Sequence, residues 1–309
     1  MNKKAWKLIL LHVLLLCGFA CGVLLFAEEI LEAKRWVYAA IAQVRQHNTQ
    51  QDQSPLEQQF ASYAPMEHKG DEWYQDTRLI YHAGGTIDGF VYTNSAEALE
   101  ATISGGNHVV EIDFLFTSDG HLICAHKWED LFSLEPLPLE EVQRVGIYRK
   151  YTPMTAEDLI GYMQENPDLI IITDTKEEQP VEVIRELVRL AGEDADILSR
   201  FVIQLYDRGM KQEMLSVYPF SSENFLFTAY EFGNERIEEI LELCYAEDIR
   251  VVTVVYYAWP QEVIDLFRQK GIFVFEHTVN DPSEARDIIA RGSQGVYTDF
   301  LQLSDLTGE

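Results

Sequence analysis

From about residue 76 onward, short apolar runs alternate with longer amphipathic segments. The apolar runs are Leu79–Tyr81, Val109–Phe116, Leu169–Thr173, Phe201–Leu205, Phe225–Thr228, Val251–Tyr256, Ile272–Phe275 and Gly295–Thr298. Several are rich in Val, Ile, Phe and Tyr without alternation, the pattern of strands buried on both faces. Helix-like segments lie between them, roughly at 95–104, 156–165, 180–191, 208–217, 235–246, 261–270 and 282–291. Thr155 with Asp158 predicts a capping box, Pro180 and Pro260 fit the first turn of a helix, and Gly105 and Gly271 fit helix stops. Eight strand-like runs interleaved with helices predict an α/β chain folded as a (β/α)8 TIM barrel. An open doubly wound sheet is the alternative, but it usually needs fewer units, and no glycine-rich phosphate loop opens any helix. After the second run, the turn Ser118-Asp119-Gly120 and the apolar stretch His121–Ala125 predict a hairpin that extends strand two. The stretch 127–154 that follows is long for a barrel loop.

The N-terminal quarter follows a different pattern. Lys3, Lys4 and Lys7 precede an apolar run from Leu8 to Ala27 whose strongly polar member is His12. A helix of that length spans about 30 Å, the thickness of a bilayer core. Lysines before the run and Glu28 and Glu29 after it put the N-terminus inside and the bulk of the chain outside. A cleaved signal peptide is the competing reading, but the run is long for one and no small-x-small site follows it. Residues 28–46 have helical periodicity, and residues 47–59 form a polar, Gln-rich spacer. The expected organisation is a cytoplasmic tail at 1–7, a single-pass signal anchor at 8–27, a stalk at 28–75 and an extracellular barrel at 76–309.

Charge narrows the partners. With 24 Lys and Arg against 51 Asp and Glu, the chain carries a formal charge of −27. That excess and the lack of a basic stripe argue against nucleic acid, and against electrostatic docking on anionic lipid. An acidic protein instead concentrates cations, divalent metals included. Outside the apolar run the cysteines are Cys124 and Cys244, too few for a disulfide framework.

In a barrel of this type the chemistry sits at the C-terminal ends of the strands. Strand one ends in His82, and strand two carries Glu111 and Asp113, two carboxylates on one face. Strand three ends in Asp174 and Lys176, again two residues apart, and His126 follows the hairpin. Carboxylates inside an apolar strand need a partner or a metal, and hard divalent ions prefer such oxygen ligands. An isolated Glu-x-Asp pair is usually surface charge and a single strand-end histidine usually structural. Here two histidines, three carboxylates and a lysine converge on one end of the first three strands.

The ordered set His82-x-Gly84, Asn94-Ser95, Glu111-x-Asp113, Thr117-x-Asp119-Gly120, His126 and Asp174-x-Lys176 resembles the glycerophosphodiester phosphodiesterase family. The resemblance continues at Thr278-Val279-Asn280-Asp281 and Gly295-Val296-Tyr297-Thr298-Asp299, and covers about residues 76–303. It implies a phospholipase C-like barrel with one divalent cation, Ca²⁺ or Mg²⁺, held by Glu111, Asp113 and Asp174. It also implies that His82 and His126 are the general acid and base, and that Lys176 steadies the phosphoryl oxygens. The implied substrate is a glycerophosphodiester or a phospholipid-derived or envelope polymer, cleaved to a glycerol phosphate and an alcohol. The family pattern is not complete. Ala83 stands where the family has Arg, Lys127 where it has Asp, and Asp174 where it has Glu. Glu276-His277 replaces a pocket-lining Trp. Glu276 and His277 are therefore candidate pocket walls. Trp128, beside His126, is either a further wall or an ordinary loop aromatic, and Asp299 is either a second-layer group or a helix cap. The alternatives are a non-catalytic glycan- or polymer-binding barrel and a sphingomyelinase D-like lipase.

Overall fold

A computed structural model describes residues 60–229 and 237–307. The expected tail and anchor, and the stalk up to residue 59, lie outside the described residues. Among the described residues no helix is long and apolar enough to cross a membrane.

Among the described residues ten strands make one sheet: β1 (Leu79–Tyr81), β2 (Val109–Phe116), β3 (Leu122–Cys124), β4 (Met154–Thr155), β5 (Ile170–Thr175), β6 (Phe201–Leu205), β7 (Phe225–Ala229), β8 (Val251–Val255), β9 (Phe273–His277) and β10 (Gly295–Thr298). All but β3 and β4 run parallel. They pair in the order β1-β10-β9-β8-β7-β6-β5-β2, and β1 pairs again with β2, so eight strands close into the predicted barrel. The expected hairpin is present, with β3 antiparallel to the end of β2 and β4 antiparallel to β3. Its residues bury a satellite core of Leu115, Ile123, Ala125, Leu131, Val142, Ile147 and Tyr151.

The helices lie where the amphipathic segments predict them. Among the longest are α2 (Ala96–Ser104), α4 (Ala156–Glu165), α5 (Pro180–Leu190), α8 (Ile237–Glu247), α9 (Gln261–Gln269) and α10 (Pro282–Ala290). Between them come α1 (Trp73–Asp76), α3 (Leu139–Val145), α6 (Ala195–Ser199) and α7 (Met210–Leu215), and α11 (Leu303–Thr307) ends the described chain. The Thr155–Asp158 capping box forms as read from the sequence, and Pro180 occupies the first turn of α5. Pro260 instead caps α9 from outside, with extended backbone, because Gln261 is the first helical residue. Cys124 and Cys244 are buried and free.

Residues 60–75, the described part of the stretch read as stalk and linker, pack with Asp76 on the N-terminal end of the barrel. Phe60 and Tyr74 are each 1% exposed. Tyr74 joins an inner cluster with Ile80, Ile172, Val202, Leu226, Val251, Phe275 and Tyr297. Trp73 stacks on Phe275 with ring centroids 6.0 Å apart, and Tyr74 meets Phe273 at 4.9 Å. The Glu72 carboxylate accepts from the Lys69 and Gly70 amides, fixing the turn into α1. The Lys270 ammonium donates to the Phe60 and Tyr63 carbonyls. This aromatic plug closes the bottom and leaves the other end open.

Candidate active site

Two residues beyond the apolar layer, the same strands turn polar. Along β2, Glu111 and Asp113 both face inward and are 2% and 1% exposed. Asp174 on β5 pairs in register with Asp113. Ligand atoms of Glu111, Asp113 and Asp174 all lie within 4.8 Å of one another.

Each carboxylate is oriented by neighbours. Glu111 Oε2 accepts from the Ala83 amide at 2.8 Å, while its Oε1 is buried without a partner. The Ala83 amide is aimed there by a tight turn after β1, with Ala83, Gly84 and Gly85 all at positive φ. Gly85 is required twice: its φ is +94°, and a Cβ would collide with the Thr102 hydroxyl. Asp113 Oδ2 accepts from Asn94 Nδ2 at 2.8 Å, and Asn94 Oδ1 accepts the Asp113 amide at 3.0 Å. Asp174 Oδ1 accepts from the Tyr206 hydroxyl at 2.5 Å. Lys176 bridges the pair, with Nζ 3.0 Å from Asp113 Oδ1 and 2.5 Å from Asp174 Oδ2.

The electrostatics follow. Burial, then the charges of Asp113 and Asp174, push the Glu111 carboxyl well above its usual range. Burial alone would lower Lys176, but Asp113 and Asp174 outweigh it and raise the ammonium above the usual lysine value. Three carboxylates crowd one ammonium, and the raised Glu111 carboxyl is the consequence of that crowding.

The histidines flank this centre. His82 Nδ1 lies 2.9 Å from Asp299 Oδ1, and its Nε2 lies 3.9 Å from Glu111 Oε2. Asp299 is itself fixed by Asn280, whose Nδ2 donates to Oδ2 at 2.6 Å. His126 has a looser carboxylate behind it, with Nδ1 3.8 Å from Asp130 Oδ2. The Tyr92 ring sits between the two imidazoles, its centroid 4.5 Å from His82 and 4.7 Å from His126. All three line a cavity of about 180 Å³ with Glu111, Asp174 and Lys176, and its far wall is Gln204, Thr228, Thr253, His277, Thr278 and Tyr297. Burial, with His82 nearby, pulls His277 down to about 4, so its imidazole is neutral at neutral pH.

No family model and no curated protein matches the sequence. Solved structures do match. One is an Oleispira antarctica phosphodiesterase in complex with the product sn-glycerol-3-phosphate, at 16% identity and TM-score 0.61, covering 75% of this chain and 96% of that one. Another is a glycerophosphoryl diester phosphodiesterase from Parabacteroides distasonis, at 20% identity and TM-score 0.57, covering 81% and 90%. A third is a glycerophosphodiester phosphodiesterase from Thermotoga maritima, at 23% identity and TM-score 0.53, covering 72% and 93%. The chain has the fold of these enzymes.

The structure brings together His82, His126, Glu111, Asp113, Asp174 and Lys176, and adds His277 to the pocket wall. Two of the expected walls lie elsewhere. Glu276 is on the opposite face of β9 from His277, where its carboxylate takes Arg291 at 2.7 Å, Ser293 at 2.6 Å and the Tyr257 amide at 2.7 Å. Strand alternation forces this outcome, since adjacent residues cannot both point inward. Trp128 packs against the satellite core rather than the cavity. Lys127 is exposed and does not line the pocket, so it does not replace the arginine missing at Ala83. Sequence reasoning missed Tyr92, Gln204, Thr228, Thr253 and Tyr297. For Gln204, Thr228 and Thr253 the signal was available: each stands two residues after an apolar inward position of its strand, Val202, Leu226 and Val251.

Proposed function

We propose that the barrel is a divalent-metal-dependent phosphodiesterase that cleaves glycerophosphodiesters to a glycerol phosphate and an alcohol. The observation that carries this is the convergence of Glu111, Asp113, Asp174, Lys176, His82 and His126 on one small pocket. The residues fit a hard divalent cation, Ca²⁺ or Mg²⁺: three carboxylates within reach of one ion, one buried Glu111 oxygen without a partner, and a Glu111 carboxyl whose proton a cation would displace. Such an ion supplies positive charge beside the phosphoryl oxygens.

The chain's own groups do the rest. Lys176 adds a second positive charge on the Asp113–Asp174 side of the mouth, where charge grows on the phosphoryl oxygens. Asp299 accepts a hydrogen bond from His82 Nδ1–H, which leaves Nε2 on the Glu111 side free to take or give a proton. In the first half-reaction the hydroxyl next to the phosphate attacks phosphorus and gives its proton to one imidazole. The other imidazole, protonated at the start, hands a proton to the departing alcohol oxygen. A cyclic glycerol phosphate results. Water then attacks phosphorus as the two imidazoles exchange roles, and the ring opens to glycerol phosphate.

The apolar run Leu8–Ala27 and its flanking charges support a single-pass anchor, with the N-terminus inside and the barrel outside the cell membrane. That position favours substrates of the envelope. Protease added to intact cells should then remove the barrel while sparing the tail; full protection of the barrel would refute the placement.

The full-length chain in detergent, incubated with glycerophosphodiesters, should release alcohol with Ca²⁺ or Mg²⁺ and stop on adding EDTA. Absence of cleavage with either metal, or cleavage that survives in His82→Ala, would overturn the proposal.

A further inference from the structure

A globular barrel keeps most of its large apolar side chains inside, so the placement of those left outside is informative. Among the described residues five are exposed: Phe90, Phe132, Leu134, Phe300 and Leu303. Leu303 lies toward the closed end, because its neighbour Gln302 meets Asn107, just before the start of β2, at 3.3 Å. The other four each stand close in sequence to a group of the catalytic mouth. Phe90 is two residues before Tyr92, Phe132 and Leu134 are two and four after Asp130, which backs His126, and Phe300 directly follows Asp299, which backs His82.

Phe90, Phe132 and Leu134 share one surface. Phe90 is in the loop after β1, with its ring centroid 5.6 Å from both Tyr148 and Tyr151. Those tyrosines belong to the insertion after β3, as do Phe132 and Leu134. The Leu137 carbonyl accepts from the Ser118 amide, and the Leu139 amide donates to Asp119 Oδ1, both at 3.0 Å. The segment 132–137 therefore stands level with the turn beyond the end of β2. The satellite core includes Leu131 but not Phe132, whose φ of +57° turns the chain out of it. Leu134 is 83% exposed and Phe132 56%, so neither owes its place to the core.

The charges around these tips point to their partner. The Arg149 guanidinium lies 4.4 Å over the Phe132 ring, and the Lys150 ammonium lies 5.3 Å from the Phe90 ring and 4.7 Å from that of Tyr151. This pairing suits a lipid surface, where the ring enters the acyl boundary and the cation stays among the phosphates. Lys150 also pairs with Asp88 and Arg144 with Glu141, while Glu129 and Glu135 are exposed in the same insertion. The patch has no positive excess, in keeping with the overall charge of −27, so apolar insertion rather than charge must supply the affinity. The exposed parts of these side chains amount to a few hundred Å², short of the roughly 800 Å² per partner that a stable protein interface buries. Separate tips enter a bilayer surface one by one, with no matching shape required.

We propose that the rim formed by residues 86–92 and 127–151 docks on the surface of a zwitterionic phospholipid bilayer, with Phe90, Phe132 and Leu134 inserted and Arg149 and Lys150 among the phosphates. This contact is distinct from the apolar run Leu8–Ala27 and does not depend on turnover. Because Tyr92 and His126 sit on or beside the same two segments, docking brings the mouth to the lipid surface.

The chain from residue 55 onward forms one compact unit with the closed barrel and its core, so this head is tested without the apolar run. In cosedimentation with phosphatidylcholine vesicles it should bind, with less than about a twofold change between roughly 0.1 and 1 M salt, since insertion is not screened. Phe132→Ser combined with Leu134→Ser should lower the partition coefficient by about tenfold or more. Leu303→Ser removes an exposed leucine away from the rim and should bind as wild type does. All three positions are on the surface, so thermal unfolding should be unchanged, which separates lost docking from lost fold. Absence of binding, binding that needs phosphatidylglycerol and vanishes at high salt, or an equal loss in Leu303→Ser would overturn the docking face. So would a dimer in sedimentation velocity that the paired substitutions dissolve, because the tips would then cover a second copy of the chain. The readout is vesicle binding, so the docking face and the phosphodiesterase reading fail separately.

Discussion

The two ends of this barrel are built on the same strands, two residues apart, and differ in almost everything else. At the bottom, inward positions hold Ile80, Ile172, Val202, Leu226, Val251 and Phe275, sealed by Trp73 and Tyr74. One inward step further along, those strands carry His82, Asp174, Gln204, Thr228, Thr253 and His277. The lower layer is built from apolar side chains and buries apolar area. The upper layer crowds three carboxylates around one lysine and leaves Glu111, Thr228 and His277 with unpartnered atoms. A fold selected for stability alone would continue the lower layer upward. The contrast marks the mouth as the part shaped for a ligand, with the bottom supplying the stability that such a mouth forgoes.

Substitutions at each end should separate these roles. The largest effect is expected from the mouth: His82→Ala should lower kcat/KM by about 10²–10⁴-fold, the usual contribution of a positioned acid–base group, with thermal unfolding unchanged. A matching loss of Tm would make His82 a structural residue. At the bottom, Tyr74→Ala removes a fully buried aromatic and should destabilise by about 3–5 kcal/mol, measured by urea denaturation, with kcat per folded molecule retained. Glu276→Ala sharpens the comparison, because its strand neighbour His277 faces the pocket and Glu276 does not. Loss of its pairing with Arg291 should cost about 3 kcal/mol of stability and leave substrate preference intact. The smallest effect is expected from Asp299→Asn, which keeps the shape but weakens the hold on His82. It should slow turnover about 10- to 100-fold, with KM little changed.

The sequence makes the strands and helices legible because both layers of the barrel are flanked by amphipathic helices of regular length. Val109–Phe116 and Gly295–Thr298 are strands with the ends expected from their apolar runs. The charged half of the mouth is equally legible, since Glu111, Asp113, Asp174 and Lys176 interrupt apolar strands where charge is costly. The neutral half is not. Thr228, Thr253 and Tyr297 are ordinary strand residues, and only parity along the strand separates them from outward neighbours. Tyr92 lies in a loop whose backbone has positive φ, and no periodicity predicts that its ring reaches His82 and His126. The plug was hidden for another reason: residues 60–76 are polar-rich and short of periodicity, and they become structural through Phe60, Trp73 and Tyr74 alone.

The central claim is that the crowding of Glu111, Asp113 and Asp174 around Lys176 exists to hold a divalent cation. Isothermal titration of Mg²⁺ and Ca²⁺ into metal-stripped protein, with Glu111→Gln in parallel, tests it without reference to turnover. The account predicts one ion per wild-type chain and no saturable binding at that site in the variant. Wild-type unfolding should also be raised by about 2.7 kcal/mol at a hundred times the dissociation constant. Absence of binding by the wild-type chain, or equal binding by Glu111→Gln, would contradict it.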